Sequence, residues 1–287
     1  MSVANRPDLA PVVHAARALS GKAPVVVVVA SASYADALTN WIAFARRAGA
    51  TKVLVVALDG EASAVAAGSG IASVAMPGIG TRSDLWVSRT ALFSGLAQAG
   101  VDFIHSDADA IWLRSPVDEV LSLHVDIAFS SGTVWPSTTV ERWGFVVCCG
   151  FFLARATTAT AAFFSEVAER TRICGDDQVA VNETLVAKGI AWEDAVPSEW
   201  RSHRGKPFRT FPEAITGHAP TLRVALLPHR RFPRLPEVSP ETVVAHPLVA
   251  RADGISTTQR LSAGLGRLGL WGPVDAPRAA PEDAPHN

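Results

Sequence analysis

Apolar positions along this chain fall into short continuous runs and longer stretches with helical spacing. Val25–Ala30 (VVVVVA) is an unbroken, mostly β-branched run, the pattern of a central parallel strand covered on both faces. The stretch 33–49 carries Leu38, Trp41, Ile42 and Ala45 on one helical face and closes on Arg46, Arg47 and Gly49, which predicts a helix with a basic last turn and a glycine stop. A second apolar run over 52–59 (KVLVVALD) completes a strand–helix–strand unit, so a parallel α/β sheet is expected. A further helix is expected over 83–100, with Ser83 as its N-cap, leading straight into a strand at Phe103–His105.

Strands are also predicted over 125–131 and 145–155, and helices over 156–172 and 176–189. Beyond residue 193 the pattern weakens into proline-rich sequence with short apolar runs at 223–228 and 242–249. Residues 1–22 form an arm carrying a helix, residues 23–271 one α/β domain, and the Pro- and Ala-rich 272–287 a disordered tail.

Composition narrows the function. With 48% hydrophobic residues in 287, the chain can bury a sizeable core. A net charge of −1 without a basic block argues against nucleic-acid binding. The 3 cysteines show no C-x-x-C spacing and read as buried thiols in a reducing compartment. The N-terminus lacks a signal-peptide core, and the longest apolar run is far below the ~20 residues of a membrane span. A bacterial-type cytoplasmic location is the expectation.

The chemistry concentrates at 101–116, VDFIHSDADAIWLRSP. Asp107 and Asp109 stand one residue apart where a buried strand ends, and two such charges are costly to desolvate unless something neutralises them. Ligands in open α/β sheets bind at the carboxyl ends of strands, and alternate residues of extended chain point the same way. The pair can therefore address one hard cation, Mn²⁺ or Mg²⁺, carrying phosphates.

Four segments in order, 25–59, DFIHSDADAIWLRSP, CCGFFLARATTAT and GDDQVAVN, resemble the nucleotide-diphospho-sugar transferase domain of glycosyltransferase family 77. The resemblance implies a GT-A fold: a mixed, mainly parallel Rossmann-like sheet flanked by helices. It implies transfer of a sugar, with retention, from a UDP-, GDP- or dTDP-type donor to a hydroxyl of a small molecule or glycan. In that pattern Asp107 and Asp109 hold Mn²⁺ or Mg²⁺ against the donor diphosphate, with Asp107 also near the ribose. Asp177 and Gln178 match the Asp-Gln pair beside the donor sugar, with Asp176 preceding them either to orient the site or to cap the helix. Ala30 and Ser31 match the nucleotide-contacting segment, Arg89 is a candidate phosphate partner, and His246 the candidate third metal ligand. The chain departs from the family where Pro247 and Leu248 follow that histidine and where Cys148-Cys149 precede Gly150. Front-side attack and double displacement through Asp176 or Asp177 both remain open.

Two alternatives accompany this reading. Gly175-Asp176-Asp177 imitates the late motif of haloacid-dehalogenase-type phosphohydrolases, but no lysine lies between Asp109 and Asp176. A catalytically inactive sugar-nucleotide-binding protein is the other. Trp135 and Trp143, flanking a polar loop, are packing residues or a stacking surface for sugar or acceptor.

Overall fold

A computed structural model describes residues 8–76, 81–193, 197–249 and 254–272. The chain begins α1 (Ala10–Leu19), β1 (Val25–Ala30), α2 (Ala35–Arg47), β2 (Val53–Ala57), α3 (Gly60–Gly68), β3 (Ala72–Ala75), α4 (Arg82–Gln98) and β4 (Phe103–Ser106). The middle contributes β5 (Ile111–Trp112), α5 (Val117–Ser122), β6 (Ile127–Ser131), α6 (Ser137–Trp143), β7 (Val147–Ala154), α7 (Thr158–Cys174) and α8 (Asp177–Ala187). The last third holds β8 (Ala191–Trp192), β9 (Glu199–His203), β10 (Lys206–Thr210), β11 (Ile215–Ala219), β12 (Leu222–Leu226), β13 (Val244–Ala245) and α9 (Thr257–Gly266).

A 9-stranded sheet runs in the order β3-β2-β1-β4-β7-β6-β12-β11-β8. Strands β3, β2, β1 and β4 are mutually parallel, and β7 inserts antiparallel between β4 and β6. Side-chain alternation sends Val26, Val28 and Ile104 to the face covered by α2, α3 and α9, while Val25, Val27 and Phe103 meet α1, α4, α7 and α8. This is the one-domain α/β architecture that the sequence pattern predicts, in the mixed, mainly parallel form that the family resemblance implies.

Local details differ from expectation where side-chain chemistry competes. Helix α4 starts earlier than expected: Thr81, not Ser83, is the N-cap, because Thr81 and Asp84 form a reciprocal capping box. The basic segment 200–209 folds as a β-hairpin; Arg204 and Gly205 both take positive φ (51° and 73°), the backbone a two-residue turn demands. Of the three free cysteines, Cys148 and Cys149 are buried but Cys174 is exposed. The tail expected over 272–287 lies, from residue 273 on, outside the described residues.

Candidate functional site

The Asp-x-Asp turn is built on aromatic packing. Ser106, the last residue of β4, accepts indole N–H bonds from Trp41 (3.1 Å) and Trp112 (3.2 Å). Trp41 also donates to the Ala110 carbonyl at 3.0 Å, and Ala110 N–H donates back to the Asp107 carbonyl at 3.0 Å. The two rings meet edge to face with centroids 5.9 Å apart. The turn 107–110 is thus closed by its own backbone and anchored to α2. After it, β5 pairs antiparallel with β13, with Ile111 opposite Ala245. That register carries His246 up to the turn.

Asp107, Asp109 and His246 converge so that one ligand atom from each lies within 4.8 Å of the others. His246 Nε2 is 3.3 Å from Asp109 Oδ1 and 3.8 Å from Asp107 Oδ2. The space is kept by Gly150: a Cβ there would fall 2.1 Å from His246 Cε1 and 2.6 Å from Asp107 Oδ2. Gly150 sits where β7 bulges against β6, since Phe129 pairs with Phe152 but Ser130 with Cys148. Asp107 N–H donates to the Gly150 carbonyl at 2.7 Å, so the bulge and the turn are joined. Two carboxylates and an imidazole around a cleft that a single methyl group would fill are a donor set suited to a hard or borderline divalent cation.

Alternation along β4 turns His105 and Asp107 toward α4 and α8. Arg89 of α4 donates from Nη1 to Asp107 Oδ1 at 2.7 Å, and from Nε (2.8 Å) and Nη2 to Asp177 Oδ2. One guanidinium therefore joins the first aspartate to the start of α8. His105 Nδ1 faces the Val27 carbonyl at 3.2 Å, and its Nε2 faces Asp107 Oδ1 at 3.2 Å with Arg89 Nη1 beyond it at 3.5 Å. Burial lowers the His105 pKa. Burial opposes ionisation of Asp107, but the Arg89 charge beside it outweighs that and holds its carboxyl well below the usual range. His246 is pushed the other way, up to about 9; burial and Arg234 resist its charge, and Asp109 outweighs them.

The remaining expected residues fall around this core. Asp176 N-caps α8, its side chain accepting Val179 N–H at 2.9 Å. Gln178 is committed to backbone: Oε1 accepts Cys149 N–H at 2.9 Å, while Nε2 donates to the Val147 carbonyl and to the Trp135 carbonyl at 3.4 Å. Ala30 ends β1, and Ser31 opens a turn fastened by Asp59, which accepts Ala32 N–H at 2.6 Å while capping α3. Trp135 is 56% exposed, whereas Trp143 packs between Phe145 and Trp192.

Sequence reasoning missed several members. Tyr34 lies near both aspartates and Arg260; burial, then Asp109 and Asp107, raise its pKa. Cys148 stands 3.8 Å from His246 Nδ1, and Arg234 donates to the His246 carbonyl. Gly150 alone carried a readable signal, since an isolated glycine inside a strand marks a bulge or a close approach.

A sequence model of the nucleotide-diphospho-sugar transferase family matches residues 48–259. The chain belongs to that family and is a glycosyltransferase of nucleotide-sugar type. No curated protein matches it. Among solved structures it is similar to an active-site mutant of LgtC, at 14% identity over 84% of this chain and 95% of that one, with a TM-score of 0.48. Galactosyltransferase LgtC with donor and acceptor sugar analogues matches at 15% identity over 55% of this chain and 69% of that one, TM-score 0.41. The apo bifunctional glycosyltransferase WbbM matches at 10% identity over 57% of this chain, TM-score 0.42, and the match spans 38% of the WbbM chain. None of the described helices is long and apolar enough to cross a membrane.

Proposed function

We propose that the chain transfers a sugar, with retention, from a nucleoside-diphosphate donor to an acceptor hydroxyl on a small molecule or glycan, using a divalent cation held by Asp107, Asp109 and His246. The observation that carries this is the convergence of those three side chains at the end of β4, in space preserved by Gly150. Mn²⁺ and Mg²⁺ suit two carboxylates and an imidazole. Such a cation supplies Lewis-acid neutralisation of the charge that develops on the departing diphosphate.

The chain's own residues orient and select. Arg89 holds Asp107 in its ionised form and ties it to Asp177. The turn after Ala30 and Ser31, with Tyr34 and Arg260 beside it, forms the nucleotide side. Asp177 at the head of α8 and Gln178 next to Trp135 form the sugar and acceptor side, with the exposed Trp135 ring available to stack on an acceptor. Asp176 fixes the start of α8. The 3 free thiols support a reducing, cytoplasmic setting. The family match favours this transferase over a phosphohydrolase.

Thermal melting with UDP-, GDP- and dTDP-sugars, with and without Mn²⁺, is the test. One nucleotide series should raise the midpoint by roughly 5–10 °C at a hundredfold excess over Kd, only with metal present, and EDTA should reverse it. Asp109→Ala should abolish the shift. No shift with any nucleotide in the presence of metal refutes the reading.

A further inference from the structure

We propose that Cys148 is the positioning residue for His246: its sulfur accepts the Nδ1 proton and so holds the Nε2 lone pair toward Asp107 and Asp109. The inference rests on the reading of those three residues as a divalent-cation site, and it concerns a residue type that the charge pattern of the site does not suggest.

Tautomer and burial make the argument. An imidazole that offers Nε2 to a cation must carry its proton on Nδ1. His246 is 5% exposed, so that proton requires a protein acceptor. Both aspartates of the site face Nε2, at 3.3 and 3.8 Å, and neither is placed to serve Nδ1. What stands opposite Nδ1 is Cys148 Sγ at 3.8 Å, a reach suited to the larger sulfur atom.

The sulfur is itself fixed. Cys148 is 4% exposed, and the Gly150 backbone N–H donates to its Sγ at 3.4 Å across the β7 bulge. The histidine backbone is pinned from the other side, with its N–H donating to the Pro233 carbonyl at 3.1 Å and its carbonyl accepting from Arg234. With both ends held, the ring plane is set by what Nδ1 meets. Metal-bound histidines usually give this proton to a carboxylate, a backbone carbonyl or water, and removing that partner weakens metal binding about 10–100-fold. Here a thiol takes the place. Cys149, its neighbour, points to the opposite face of the strand, where its Sγ lies 3.6 Å from the Asp177 carbonyl.

The test uses the full chain and reads Mn²⁺ affinity from the electron paramagnetic resonance signal of free Mn²⁺. Cys148→Val loses the acceptor with a somewhat larger side chain, Cys148→Ser keeps an acceptor, and Cys148→Ala loses the acceptor with a smaller one. Affinity should fall about 10–100-fold in both Cys148→Val and Cys148→Ala and recover to within a few-fold of wild type in Cys148→Ser, with metal-free melting curves remaining cooperative in all three. Co²⁺ in place of Mn²⁺ should give a spectrum without a sulfur-to-metal charge-transfer band. Unchanged Mn²⁺ affinity in Cys148→Val and Cys148→Ala overturns the role of the sulfur alone. A charge-transfer band also overturns it, by making Cys148 a direct ligand. Failure of the wild-type chain to bind Mn²⁺ overturns the cation site and this inference together.

Discussion

Gly150 lacks a side chain where His246 stands: a Cβ at this glycine would lie 2.1 Å from the imidazole Cε1. The glycine carbonyl also accepts the Asp107 N–H at 2.7 Å, so one residue spaces the histidine and fixes the aspartate. Gly150→Ala should push His246 away from Asp109 and cost about 1–3 kcal/mol of stability by overpacking. Denaturant unfolding measures the cost. The Mn²⁺-dependent nucleotide shift should disappear in the same variant, and its survival would detach Gly150 from the site.

Arg89 joins Asp107 to Asp177 with its side chain 10% exposed and the Asp177 side chain 4% exposed. Arg89→Met leaves two carboxylates without their common partner, and the expected loss is about 3–5 kcal/mol in urea unfolding. Arg89→Lys should not restore stability, because a point charge cannot reproduce a planar fork donating to two acceptors. A lysine variant as stable as wild type would contradict that geometry.

Ser106 accepts from two buried tryptophans, and Trp112 Nε1 has no other acceptor among the described residues. Ser106→Ala strands that indole N–H, at a cost of about 1–3 kcal/mol. The Asp-x-Asp turn should loosen with it, so the affinity for Mn²⁺ and nucleotide should fall although Ser106 touches neither. A stability loss with unchanged binding would separate the aromatic anchor from the site.

Stability of the metal-free protein should depend on pH at both ends. Asp107 ionises more readily folded than unfolded, so its contribution is present above a pH of about 4 and is lost as pH falls below that. His246 is protonated more readily folded, so its contribution is complete below a pH of about 6.5. That contribution fades as pH rises through about 9. The urea midpoint should therefore decline between a pH of about 6.5 and about 9, and His246→Gln should flatten this limb. An equal decline in wild type and His246→Gln would assign it to other groups.

Part of this protein is written in local sequence. Apolar runs of strand length and helical spacing with caps determine β1, α2, β2, β4, α7 and α8, because each depends on neighbours a few residues away. The Asp107–Asp109 pair is legible for the same reason: two charges beside a buried strand need a neutralising partner wherever the chain goes. Short elements held by distant partners, β5, β13 and the bulge of β7, leave almost no periodic signal.

Those distant pairings are what tertiary structure decided. His246 reaches the turn because β13 pairs with β5, Arg89 reaches two carboxylates because α4 packs against the ends of β4 and α8, and Cys148 meets a histidine because β7 bulges at Gly150. Asp176 caps α8, one of the two roles the sequence offers it, whereas the backbone clasp made by Gln178 is a product of the packing. Residue types and strand ends are properties of the local chain. Which side chains share a cleft depends on strand register and helix packing, and these are set by burial across the whole domain.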